Sequence, residues 1–418
     1  MKDSGIKWLG KIPNDWDVNK MHRICSLITD YVASGSFKSL ADNVTYFDKP
    51  NYAMLIRTTD ISGKKGSAQP IYVNEHSYNF LCNSNLFGGE LILPNIGASI
   101  GDIYIVPKLY DKMTLAPNSI LIKTYYNDKY YYYYFLTVGR HQVLDLSQST
   151  AQGKFNKTEL RALKVLTPPL EEQKKIASFL DNKCEFIDDI NETLTREIKK
   201  LEEYRNSIIT KLVYNKYGNI KLKYLVSKAI TDGTHQTPEY SDEVNGSPFL
   251  SSKDITKGYI DWSDIKYITK DLHNQLQKEV KPIKGDILLA KNGTTGIAAL
   301  VSDDNVFDIY VTLALIRCNR NKIMPKYLLY IINSSICKNQ FNARLIGIGV
   351  PNLHLNMIEN VKIPVPPLEE QKEIVEYLDK KCKQIDDMID IKKQQIETLD
   401  KYKNSLIYEY VTGKKRVK

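Results

Sequence analysis

At 418 residues, with 42% hydrophobic and 26% charged side chains, the chain has the makeup of a globular protein of two or three domains, not of a disordered one. Its net charge of +9 permits a nucleic-acid partner without requiring one. No apolar run reaches the roughly 18 residues of a membrane span. The opening Met1–Gly10 lacks the apolar core of a signal peptide, and the six cysteines are scattered with no Cys-x-x-Cys pair, so a membrane protein, a zinc ribbon and a disulfide scaffold are disfavoured and a cytoplasmic location is expected.

In chain order, short apolar runs at Ala53–Ile56, Leu91–Leu93, Ile103–Val106 and Ser119–Ile122 are broken by Gly, Asn, Asp and Pro. They predict strands of a compact β-rich unit. Lys129–Phe135, which holds five consecutive tyrosines, predicts a helix near the end of that unit. A tyrosine run invites base stacking, but packing into a core and against a helix is the simpler reading.

A long helix follows. Leu180, Ile187, Leu194, Leu201 and Ile208 recur every seven residues, with Ala177, Cys184, Ile198 and Leu212 between them. Pro168 and Pro169 stand at its start, and Glu171 and Glu172 in its first turn suit the helix dipole. A second set of apolar runs, Ile287–Ala290, Ala298–Val301 and Val311–Ile316, predicts a second β-rich unit, with Tyr327–Ile332 as the mate of the tyrosine helix. A second long helix then carries Val375, Cys382, Ile385, Ile389, Ile396, Leu399 and Leu406 on its seam. Each helix of about 43 residues would be roughly 65 Å long. The expected division is residues 1–166, 167–214, 215–364 and 365–418.

The two helices are copies. Residues 168–184 read PPLEEQKKIASFLDNKC and residues 366–382 read PPLEEQKEIVEYLDKKC, at an offset of 198 that continues to Val213 and Val411 with about half the positions identical. The preceding units correspond more weakly: Gly89-Glu-Leu-Ile-Leu with Gly285-Asp-Ile-Leu-Leu, and Asp60-Ile61 with Asp254-Ile255. The chain is therefore one unit duplicated. Asn191 and Lys392 interrupt the two seams. In an antiparallel pair they would fall in neighbouring layers and fix register; alternatively Lys392 snorkels to solvent. Cys184 and Cys382 read as small buried hydrophobes.

Charge is unevenly placed. Residues 171–213 hold 8 Lys/Arg against 10 Asp/Glu, and residues 369–411 hold 8 against 11, so the remainder of the chain carries +14. That is the pattern of basic units facing phosphates and acidic helices facing something else. Catalytic signatures are missing: there is no P-loop, no Gly-x-Gly-x-x-Gly after a strand, no HExxH, no GxSxG and no kinase set. The Asn/Asp-Pro-Pro-aromatic motif of amino-directed DNA methyltransferases is missing too, and the histidines are too dispersed for metal-ligand spacing.

The duplicated PPLEEQ helix entry, the opening Gly5-Ile-Lys-Trp-Leu-Gly-Lys-Ile-Pro with Trp16, and Thr231-Asp-Gly-Thr-His-Gln-Thr-Pro238 followed by Lys253-Asp-Ile together resemble the specificity subunit of Type I restriction-modification systems. The resemblance covers essentially the whole chain. The first unit lacks the Asp-Gly-Thr-His stretch and has Ala33-Ser-Gly-Ser-Phe37 roughly there, which suggests that the two units read different sequences.

The resemblance implies an α+β fold. Two tandem target recognition domains would each be followed by a long helix, the helices pairing as an antiparallel coiled coil. It implies double-stranded DNA as partner, read as a bipartite asymmetric target. Two modification subunits would dock on the coil, and restriction/translocase subunits would complete the complex. S-adenosylmethionine, ATP and Mg would then sit on those partners, with no cofactor, metal or catalytic residue on this chain and no membrane. Polar turns after strands are the expected readers: Arg57, Thr58, Thr59, Lys64, Lys65, Asn95, Ser99, Gln152 and Lys154 in the first unit, and Thr234, His235, Ser251, Ser252, Lys253, Lys291, Asn292, Thr294, Thr295, Asn352 and His354 in the second. His235, beside Asp232-Gly233, can instead brace a turn. Two rivals remain at this point: a coiled-coil scaffold with no DNA role, and a methyltransferase fused to recognition domains.

Overall fold

The computed structural model describes residues 1–6, 9–62, 69–148, 153–213, 216–343, 345 and 352–417. The chain divides into two compact units, Met1–Thr193 with Gln394–Lys418, and Leu194–Lys393. Both long helices, Leu170–Val213 and Leu368–Val411, are continuous, and each contributes one half to each unit.

In unit 1, one antiparallel sheet has the strand order Tyr104–Ile105, Leu91–Pro94, Ser119–Thr124, Cys25–Asp30. A second sheet runs Tyr46–Phe47, Ile71–Val73, Ala53–Ile56, Met113–Leu115, Asn85–Leu86, with Ala53–Ile56 parallel to Met113–Leu115. Unit 2 repeats this plan. Its antiparallel sheet is Ala298–Leu300, Ile287–Ala290, Leu313–Ile316, Thr231–Asp232. Its mixed sheet is Tyr240–Ser241, Lys266–Ile268, Ser247–Leu250, Asp308–Ile309, with the last two parallel. Leu91–Pro94 and Ile287–Ala290 are buried at every position. This is why they read as unbroken apolar runs and not as alternating ones. The parallel pairs were not legible in the sequence, because a parallel partner is set by a distant crossover and not by local pattern.

The tyrosine run forms the helix Asp128–Leu136, with Tyr130, Tyr131, Tyr133 and Tyr134 buried in the unit 1 core beside Trp16 and Phe135. Tyr130 meets Trp16 edge-on at 6.5 Å between ring centroids and Tyr131 at 5.1 Å. These rings stabilise the core, at about 1.5–3 kcal/mol for each large side chain buried. They do not form an exposed stacking platform.

The repeated PPLEEQ entry has a physical explanation in how each helix docks onto its unit. Gln173 and Gln371 are both fully buried. Gln371 Oε1 accepts from Met324 N at 2.8 Å, and its Nε2 donates to Pro366 O and Lys322 O at 2.9 and 3.0 Å. Gln173 Oε1 accepts from Asn127 N at 3.3 Å, and its Nε2 donates to Pro168 O at 2.7 Å. Each glutamine thus ties its own helix start to the start of the preceding domain helix. Glu172 accepts from Trp16 Nε1 at 2.9 Å, and Glu370 from Tyr217 at 2.6 Å. Eight residues beyond each glutamine, a little over two turns, Asp181 accepts from Tyr133 and Lys129, and Asp379 from Tyr330 and Lys326, all at 2.6–2.9 Å.

The paired helix halves run antiparallel within each unit. In unit 1, Lys403 donates to Asp188 at 2.6 Å and Asn191 to Asp400 at 2.8 Å. In unit 2, Lys392 donates to Glu197 and Arg205 to Asp386, both at 2.7 Å. Ile176, Leu180 and Cys184 are buried in unit 1, as are Val375, Leu378 and Cys382 in unit 2, whereas Leu194, Ile198, Ile396 and Leu399 are half-buried. A pair of helices without a third layer covers only one stripe of each. Asn191 and Lys392 each find a carboxylate on the facing helix, Asp400 for Asn191 and Glu197 for Lys392.

Candidate nucleic-acid interface

In unit 2 the Asp232-Gly-Thr-His235 stretch leaves the edge of the antiparallel sheet where Thr231 faces Leu315. Gly233 is required there: a Cβ on it would lie 1.9 Å from Ile309 O. Its N–H donates to Leu313 O, and Thr234 N donates to Ile309 O, at 3.3 and 3.2 Å. The Asp232 carboxylate then gathers two predicted readers. Lys291 Nζ lies 2.5 Å from Oδ2, and His235 Nε2 lies 3.2 Å from Oδ1.

The lysine backbone is equally engaged. Lys291 N donates to Thr312 O at 2.9 Å, and its carbonyl accepts from Leu353 N at 2.7 Å. Asn292 bridges Asn352, and Thr312 Oγ1 accepts from Ser252 N at 3.0 Å. Gly293 and Gly296, at φ +75° and +81°, turn the loop that displays Thr294 and Thr295. The structure thus brings Thr234, His235, Ser252, Lys291, Asn292, Thr294, Thr295 and Asn352 to one end of the central strands. His354 is exposed at the start of the helix Leu355–Glu359, one residue beyond Leu353.

Several of these residues brace the surface instead of presenting a free head group. The Lys291 side chain is only 8% exposed and its ammonium is neutralised by Asp232, so it cannot reach a base edge as it stands. Ser251 caps the turn Ser252–Ile255, its N and Oγ donating to Asp254 Oδ2 at 2.7 and 3.0 Å. Lys253 Nζ is turned to Asp264 O at 2.9 Å. Thr234 and His235 share a concavity of about 390 Å³ with Asp308. Burial holds the Asp308 carboxyl above the ordinary carboxylate range, with hydrogen bonds from His273 and Gln277 opposing.

Unit 1 builds the same place with other side chains. Asn95 follows the buried strand as Lys291 does. Its N–H donates to Asn118 O at 3.1 Å and its carbonyl accepts from Phe155 N at 3.3 Å. Its Nδ2 donates to Phe155 O at 3.1 Å, and Ile96 bridges Lys154. By hydrogen-bond register, then, Asn95 corresponds to Lys291 and not to Asn292. The Oδ1 atoms of Asn95 and Asn292 are both buried and accept nothing from the described residues. Arg57 stands where Ser251 stands. Its N and Nε donate to Asp60 Oδ2 at 2.8 and 3.0 Å, and its Nη2 to Asp60 Oδ1 at 2.6 Å, so the fork that would grip a guanine grips the cap carboxylate. Arg57, Thr58, Thr59 and Ser99 line one concavity of about 440 Å³ with Asn118 and Ser119. Lys64, Lys65 and Gln152 lie outside the described residues.

Sequence reasoning placed Asp232 only beside His235, whose bracing contact with it the structure shows, and missed its grip on Lys291 together with Thr312 and Asn118. Thr312 was hidden inside an apolar run. Asn118, at φ +69°, carried a legible signal in the Pro117-Asn118 turn pair. Among the described residues no group of three or more His, Cys, Asp or Glu is placed to hold a metal ion, and no helix is long and apolar enough to cross a membrane.

Comparison with known proteins agrees with this duplicated geometry. The model of the Type I restriction modification DNA specificity domain matches twice, at residues 14–200 and 219–408, and the chain belongs to that family. A Methanocaldococcus jannaschii chain given as the MjaX type I restriction enzyme specificity subunit is 27% identical over 439 residues, covering 98% of this chain and 96% of that one. The EcoBI specificity subunit of Escherichia coli is 24% identical over 233 residues, covering 50% of this chain and 49% of its own. A solved chain from work on complex assembly and conformational transition of the type I R-M system superposes with a TM-score of 0.69 at 16% identity, covering 96% of this chain and 99% of that one, and shares the fold.

Proposed function

We propose that each unit reads one half of a bipartite, asymmetric duplex target, and that the paired helices set the gap between the halves. The observation that carries this reading is one scaffold used twice with different polar turns. Asn95 and Lys291 occupy the same hydrogen-bonded position, as do Arg57 and Ser251. A symmetric frame with unlike readers is what an asymmetric bipartite site requires. The +14 charge outside the helices fits phosphate contact.

Among the predicted readers, Thr59, Thr234, His235, Thr294, Asn352 and His354 are the side chains best placed to touch DNA, because their surfaces are open or half-open. Arg57, Ser251, Lys253 and Lys291 position them. On this reading the chain is not itself a catalyst. Two modification subunits dock on the acidic helices and hold S-adenosylmethionine for adenine-N6 methylation. Restriction subunits add translocation and cleavage driven by ATP with Mg. A DNA partner in the cell places the complex in the cytoplasm.

The test is single-molecule mapping of N6-methyladenine in the native genome with and without the gene. Loss of one bipartite motif on deletion supports the reading and delivers both half-sites and the gap. A methylome unchanged by deletion in cells that express the modification subunit refutes it.

A further inference from the structure

Beside its polar turns unit 1 has an apolar surface built on an ordered helix, and among the described residues unit 2 has no helix at the matching place. Between the strands Cys25–Asp30 and Ala53–Ile56 it inserts a tight turn, Tyr31–Ser34, and a helix, Phe37–Asn43. The matching interval in unit 2, from Gly233 to Gly246, contains no helix; it holds Thr234 and His235 next to the sheet edge, and its exposed Tyr240 and Val244 stand further on, on a strand and a turn. The inserted helix is firmly seated. Ser36 Oγ accepts from Ser39 N at 3.2 Å, and Leu40 is buried with Tyr31 and Leu81. Phe37, its first residue, is nevertheless 85% exposed, and Val32, Tyr46 and Ile96 are exposed at 42%, 51% and 45%.

These side chains line a concavity of about 420 Å³. It adjoins the one lined by Arg57, Thr58, Thr59 and Ser99, and the two share Tyr46, Ile96, Pro117, Asn118 and Ser119. Asp30, the one acidic residue at the rim among the described residues, is held by Lys157 at 2.8 Å. An apolar patch fixed on an ordered element and continuous with a polar reading surface marks a contact site. The thymine C5-methyl is the apolar group that a base pair displays in the major groove.

We propose that Phe37 and Ile96 form an apolar subsite for the methyl of a thymine in the half-site of unit 1, while unit 2 reads its half-site at this place through the polar Thr234 and His235. The proposal rests on the reading of unit 1 as a DNA-recognition unit. It makes Phe37 a specificity-determining residue on an insertion that carries none of the polar motif.

The test uses the full chain and duplexes bearing the methylated motif, with each thymine of both half-sites replaced in turn by deoxyuridine, against wild type and Phe37→Ala. One buried methyl corresponds to about a fourfold loss of affinity. The expected result is that loss at one position of one half-site for the wild type, and no loss there for Phe37→Ala. Phe37 is exposed, so the variant should keep the wild-type circular dichroism, and Phe87→Ala, also exposed, serves as a control that retains methyl sensitivity. If the motif is bound specifically but every deoxyuridine is neutral, or is felt equally by Phe37→Ala, the subsite is overturned and the DNA reading stands. If the wild type does not prefer its motif over a scrambled duplex, the DNA reading itself fails and takes the subsite with it.

Discussion

Replacing Gln371 with Leu tests why the helix entry is repeated. The side chain is fully buried and makes three hydrogen bonds, to Met324 N, Pro366 O and Lys322 O. Leucine fills most of the volume but orphans one buried N–H, at about 1–3 kcal/mol, and leaves two carbonyls less well satisfied, at a smaller cost each. The expected loss is about 3 kcal/mol, roughly 150-fold in the folding equilibrium. Gln173→Leu is the internal comparison. It breaks two bonds, one of them already long at 3.3 Å, so it should cost about 1 kcal/mol less. Urea unfolding of both variants gives the totals, and amide hydrogen exchange at Met324 and Asn127 shows where protection is lost. Equal costs in the two variants, or retained protection at Met324, would refute the docking argument.

Four further outcomes follow from the geometry. Gly233→Ala should destabilise unit 2 or open the Asp232 turn, because the added Cβ would meet Ile309 O at 1.9 Å; an unchanged melting temperature and unchanged His235–Asp232 contact in a variant structure would contradict this. Lys291→Met should weaken motif binding through the turn while leaving the salt dependence of DNA affinity unchanged, since Asp232 already neutralises the ammonium; a fall in slope by about one would show a direct phosphate contact instead. Asp232→Ala should be worse than Lys291→Met by thermal unfolding, because it strands a buried ammonium at about 3–5 kcal/mol. Burial pushes the Cys25 and Cys318 thiols up to about 12, so both stay protonated at pH 8 and should be alkylated only after unfolding, whereas the exposed Cys82 reacts in the native state. Native-state alkylation of Cys318 at the rate of Cys82 would overturn that assignment.

The antiparallel pairing was expected only from the resemblance, whereas the duplication, the two long helices and their apolar seams were legible in the sequence because heptad spacing and a copied segment are local, countable patterns. So were the central strands Leu91–Pro94 and Ile287–Ala290, since a strand buried on both faces must be continuously apolar. Of the segments expected to carry the interface, the Gly-bearing loop at Gly293–Gly296 is a turn, while Thr58–Ile61 and Ser252–Ile255 are short helical turns. What the sequence could not decide was which of their side chains face outward. Lys291 is a cationic residue on a turn, and only the tertiary structure brings Asp232, 59 residues away in sequence, within hydrogen-bond reach of it; Asp60 is a local neighbour of Arg57, three residues on, and the structure shows the guanidinium folded back onto it. A charge's partner is fixed by chains folding together from many residues away, as Asp232 meets Lys291 across two strands of a sheet. The same holds for Phe37, whose exposure follows from the seating of Leu40 beneath it. Pattern determined the elements; long-range packing decided which of their groups remain free to meet a partner.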